Sequence, residues 1–83
     1  MKYVIFVNEL TGLESAILFD ESVRHSIFLN LKPVSAGFVT FEGDQINTYG
    51  RSTSLNLDPR EQDQRLIRRA VILKTTLFMT ASQ

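Results

Sequence analysis

Apolar positions come in short extended blocks along the first half of the chain and recur at three- and four-residue spacing only towards its C-terminal end. The first block, Lys2 to Asn8 (KYVIFVN), is β-branched and aromatic, and it gives way at Glu9-Leu10-Thr11-Gly12, where glycine beside polar residues signals a turn. A second block, Ser15 to Phe19, follows at once. Two strands joined this closely predict an antiparallel hairpin. Asp20-Glu21-Ser22 then precede Val23 to Leu29, and Val23, Ile27 and Leu31 fall at helical spacing, predicting a short helix or 3₁₀ turn. Pro33 stops it and biases Lys32 towards extended geometry. Val34 to Phe41 reads as a third strand, Gly43-Asp44 as a tight turn, and Gln45 to Tyr49 as a fourth strand paired back on the third.

Asp58-Pro59-Arg60-Glu61 is the clearest local signal. The aspartate accepts from first-turn amides, proline tolerates the first helical position, and the glutamate completes a capping-box pattern, so a helix is predicted from here. Leu66, Ile67, Ala70, Val71, Leu73 and Leu77 give it one apolar face. Val71-Ile72-Leu73 and Thr75-Thr76 suit a strand equally well, which leaves residues 71–78 open between helix and strand; residues 79–83 are expected to fray. The fold class is therefore α+β: a four-stranded antiparallel sheet of two hairpins, in the order β-β-short α-β-β-α, with one main C-terminal helix packed on one face. Residues 1–83 fit a single domain.

The strands carry more apolar surface than a sheet covered on one side requires. Tyr3, Ile5 and Val7 alternate with Val4 and Phe6, Ala16 and Leu18 with Ile17 and Phe19, and Val34, Ala36 and Phe38 are followed by Val39 and Phe41. Both faces need cover, and one helix shields only one. Large exposed apolar patches usually mark an interaction surface, so self-association through the sheet is expected, as a homodimer, with another protein as a possible partner. The competing expectation is that the short helix and the C-terminal tail close the second face within a monomer.

Composition removes several chemistries. There is no cysteine, hence no disulfide, thiolate nucleophile or cysteine-based zinc site, and the chain suits a reducing cytoplasm. The apolar run Tyr3 to Val7 is too short for a signal-peptide core or a membrane span, so no membrane partner is expected. Net charge is zero but segregated. Residues 1–50 hold three cations and six anions, and residues 51–83 hold six cations and three anions. Arg60, Arg65, Arg68 and Arg69 point away from the apolar stripe, with Glu61, Arg65 and Arg69 forming an i, i+4 ladder on a solvated face. No nucleic-acid recognition motif accompanies them, which argues against nucleic acid as a partner.

Candidate chemistry is sparse. His25, the sole histidine, has no fixed spacing to a nucleophile or ligand, and one histidine without cysteine makes a metal site improbable; no metal and no cofactor are expected. The stretch Tyr49 to Leu57 (YGRSTSLNL) is more suggestive. Gly50 permits close backbone approach, Arg51 supplies a bidentate cation, and Ser52, Thr53 and Ser54 can donate, so an anion or small ligand could be held there, with His25 as acid or base. Turn chemistry explains the same composition: Gly50 leads the chain out of a strand and Leu55 and Leu57 pin it to the core. The leading expectation is a small non-enzymatic interaction module; the alternative is a ligand-binding or hydrolytic site at Arg51, Ser52, Ser54 and His25.

Overall fold

The structure is a computed structural model that describes residues 1–72 and the backbone of Phe78–Met79. Its elements are the strands β1 (Lys2–Val7) and β2 (Glu14–Phe19), a 3₁₀ helix (His25–Leu31), the strands β3 (Ser35–Glu42) and β4 (Gln45–Tyr49), the helix α1 (Asp63–Ile72) and the two-residue strand β5 (Phe78–Met79). The four long strands form one antiparallel sheet of two hairpins, β1–β2 and β3–β4, joined where β1 pairs with β3. The expected α+β arrangement is present. β5 adds a parallel pairing at Leu18 and Phe19, making the order β4-β3-β1-β2-β5.

Burial follows strand alternation. Tyr3, Ile5, Ala16, Leu18, Val39 and Ile46 point to one face, where Ile67 and Ala70 of α1 cover them. Val4, Phe19 and Ala36 point to the other and pack with Phe28 of the 3₁₀ helix, and Val23, Leu55 and Leu57 close over them. The second face is thus occupied from within the chain. Its cover is the 3₁₀ helix and the loop after β4, two short segments that each bring one or two large side chains.

Several local expectations are corrected. α1 begins at Asp63, not at Asp58-Pro59. Pro59 sits instead on Gly37 of β3, where a Cβ would come within 2.7 Å of the proline ring, and this close approach holds residues 58–60 out of the helix and against the sheet. The buried stripe of α1 is Asp63, Ile67 and Ala70; Val71 and Ile72 are exposed, because the helix axis is set by the anchoring of Asp63 rather than by the longest apolar spacing. Arg60, lying before the helix, turns inward, and among the described residues no ion pair joins Glu61, Arg65 and Arg69. In the 3₁₀ helix the buried residues are His25 and Phe28, three apart as its three-residue turn requires, while Ile27 and Leu31 are exposed. Lys32 adopts the left-handed conformation (φ 52°) rather than an extended one, its N–H closing the last turn on the Leu29 carbonyl. The choice between helix and strand for 71–78 resolves to helix through Ile72 and strand at Phe78. Met79, expected to fray with residues 80–83, instead pairs with Phe19 in β5; Leu73, Leu77 and residues 80–83 lie outside the described residues.

Candidate functional site

The loop from Gly50 to Leu57 positions Arg51, Ser52 and Ser54. After the chain leaves β4, Ser52 and Leu57 exchange two backbone hydrogen bonds (2.9 and 3.1 Å), which close residues 53–56 into a turn with Asn56 left-handed at φ 56°. Asparagine tolerates that conformation better than most residues. The Ser52 hydroxyl, 1% exposed, accepts from the Leu55 N–H (3.2 Å) and lies 3.4 Å from the Ser54 hydroxyl. Arg51 is exposed, yet its guanidinium already donates to Asp58 (Nε to Oδ1, 3.0 Å) and Asn56 (Nη2 to Oδ1, 2.8 Å). The groups singled out for anion binding thus mostly hold the loop in shape, and the loop in turn delivers Leu55 and Leu57 to the core.

His25 is 4% exposed, at the start of the 3₁₀ helix, between the rings of Phe19 and Phe38 in edge contacts (5.3 and 5.6 Å). Its Nε2 is 2.9 Å from the Gly37 carbonyl. A carbonyl only accepts, so Nε2 carries the hydrogen. Burial pushes the imidazole pKa below its ordinary value, with the Lys2 ammonium adding to the effect and the Gly37 bond opposing it. Among the described residues no hydrogen bond joins His25 to Arg51, Ser52 or Ser54.

A second polar cluster, which pattern reading misses, lies under the start of α1. The fully buried Asp63 carboxylate accepts four bonds: the Tyr3 hydroxyl (2.7 Å), the Ser35 hydroxyl (2.9 Å), and the Arg60 backbone N–H (2.8 Å) and Nε (3.0 Å). The bond from the Arg60 N–H folds the chain just ahead of α1 back onto the first residue of the helix. The Arg60 guanidinium continues to Glu14 in a two-point contact (2.9 and 3.1 Å). One network therefore ties β1, β2 and β3 to the helix start. Burial, and then the bond to Asp63, push the Tyr3 phenol far above its ordinary range, while the Glu14 carboxylate raises the Arg60 pKa further. Asp63 has all four of its lone-pair directions engaged and nothing left for a ligand. Beside this junction, an open hollow of about 470 Å³ runs along β2 between Phe6, Leu13, Ala16 and Leu66, with Glu14 and Arg69 on its wall.

Among the described residues, a further feature with unsatisfied chemistry is the outer edge of β4. Gly43, at φ 58°, takes the first central position of a two-residue turn, and Glu42 pairs with Gln45. Alternation along such a hairpin directs the N–H and C=O groups of Ile46 and Thr48 away from β3. Among the described residues none answers them. The strand carries neither charge nor proline, and the anions Glu42 and Asp44 stand exposed at one end with Arg51 at the other. No group of three acidic or histidine side chains suited to a metal occurs among the described residues, and no helix there is long and apolar enough to cross a membrane. Comparison with protein-family models, curated proteins and solved structures finds no match to this chain.

Proposed function

We propose that this protein is a small non-enzymatic interaction module that self-associates through its sheet, by the edge of β4 rather than by a face. The observation that carries the reading is the row of unanswered Ile46 and Thr48 backbone groups on a strand without charge or proline. Edges of this kind pair with other strands unless lysine, proline or a covering segment blunts them. Both faces are covered in large part from within the chain, so most of the apolar surplus that first suggests association goes into the core, while Val7, Val34 and Phe41 stay exposed. A cytoplasmic location fits a chain without cysteine.

The Arg51 loop carries less of the argument, since its guanidinium and the Ser52 hydroxyl are engaged in holding the turn. Sedimentation velocity over micromolar concentrations tests the proposal. A dimer is expected for the native chain and a monomer for Asn47→Lys, which sets like charges against each other along the paired edges. A single 9.5 kDa species for the native chain at every concentration would reject self-association. A dimer that survives Asn47→Lys would move the contact away from β4.

A further inference from the structure

Building on self-association through β4, we infer that the partner is a second copy of this chain paired antiparallel about a two-fold axis at Asn47, so that the two sheets become one continuous sheet. Three observations set this register. Across such an axis Ile46 of one copy faces Thr48 of the other, and these are the residues whose N–H and C=O groups point outward, so each outward donor meets an outward acceptor. Asn47 faces its own counterpart, and Gln45 faces Tyr49, so no like charges meet anywhere along the five-residue strand.

Charge supplies the third observation. The hairpin tip with Glu42 and Asp44 of one copy comes beside the Gly50-Arg51 exit of the other, and symmetry repeats the contact. Glu42, Asp44 and Arg51 are all exposed; among the described residues neither anion's carboxylate has an ion-pair partner, and Arg51, which holds Asp58 and Asn56 through Nε and Nη2, has Nη1 left to meet them. Parallel pairing would set tip beside tip, anion against anion. The segregation of acidic and basic residues along the sequence thereby becomes end-to-end complementarity of one strand with itself, and it selects the antiparallel arrangement. The edge of β2 is a poorer site: β5 already occupies it at Leu18 and Phe19, and Glu14 at its start is held by Arg60.

The chain has no cysteine, so introduced thiols report the register directly. In the proposed arrangement Asn47 and its counterpart form a non-hydrogen-bonded antiparallel pair with Cα atoms about 4.5 Å apart, within the range a disulfide spans. Asn47→Cys is expected to give a covalent species of twice the chain mass under mild oxidation, reversed by reductant, while Thr53→Cys on the exposed loop gives none. Gln45→Cys and Tyr49→Cys are each expected to stay unlinked alone and to link on mixing, which decides the register even if Asn47→Cys does not fold. Arg51→Glu is expected to weaken the dimer about tenfold through its two symmetric rim contacts, and Asp44→Lys added to it to restore affinity. A native dimer with no link at 47 and none in the 45/49 mixture would overturn this geometry and leave self-association standing. A native chain that stays monomeric would overturn both.

Discussion

Arg51 and Arg60 are set among nearly the same ingredients. Each donates to an aspartate, each has a second oxygen acceptor, and each lies beside at least one serine hydroxyl. Their environments differ. The Arg51 cluster is assembled from residues 51–58, and its ion pair stands in water, with Arg51 44% exposed. The Arg60 cluster draws Tyr3, Glu14, Ser35 and Asp63 from across the chain and closes around a carboxylate with no exposure at all. The first shapes a loop. The second fixes where the helix sits on the sheet, because removing Asp63 leaves buried donors without their acceptor.

The contrast is broken most directly at Asp63. Replacing it with alanine strands the Tyr3 and Ser35 hydroxyls and leaves Arg60 with Glu14 alone, an outcome that costs about 3–5 kcal/mol when one partner of a buried pair is lost. A domain of this length has about 4–12 kcal/mol to lose. Urea denaturation followed by circular dichroism should therefore show Asp63→Ala largely unfolded or with its midpoint sharply lowered. A midpoint within experimental error of the native one would mean that the junction does not anchor α1.

A smaller effect should come from His25, which shares the burial of the Arg60 cluster but has no carboxylate beside it. Its folded-state pKa lies below the ordinary value near 6.5, so above that pH the imidazole is neutral in both states and its packing contributes fully. As pH falls below about 6.5 the unfolded chain takes up a proton that the folded chain resists, and stability declines until the folded pKa is passed. The denaturation midpoint should drop between pH 7.5 and pH 5.5, and His25→Gln should flatten that drop. Equal slopes for the two proteins would place the titrating group elsewhere.

How much of this was legible follows from the range of each interaction. The strands and both hairpins announce themselves through alternation and turn residues within a few positions, and the structure keeps them. The start of α1 did not, because Asp58-Pro59-Arg60-Glu61 satisfies every local rule for a cap while the deciding contact, Pro59 against Gly37, is set by tertiary packing. The same limit hid the Arg60 cluster, although one sign was present: Asp63 falls on the stripe of Ile67 and Ala70, and a carboxylate on a buried stripe requires donors from somewhere. Tyr3 and Ser35, facing inward by strand parity, were the candidates to supply them. The second sheet face was covered by the very segment that had looked most like a ligand loop, since Leu55 and Leu57 are the part of it that reaches the core.

The smallest effect is expected at Arg51, and it sharpens the comparison by its size. Arg51→Ala removes the bonds to Asp58 and Asn56, both exposed, and an exposed ion pair is worth under about 1 kcal/mol because water and salt replace it. The turn itself should persist, held by the two backbone bonds between Ser52 and Leu57 and by the Leu55 N–H on the Ser52 hydroxyl. Denaturation midpoints for Arg51→Ala should thus lie close to the native value and converge further in high salt, whereas the Asp63→Ala deficit should persist there. If Arg51→Ala instead cost as much as Asp63→Ala, the loop would be holding the second face of the sheet through its guanidinium, and burial would no longer be what separates the two clusters.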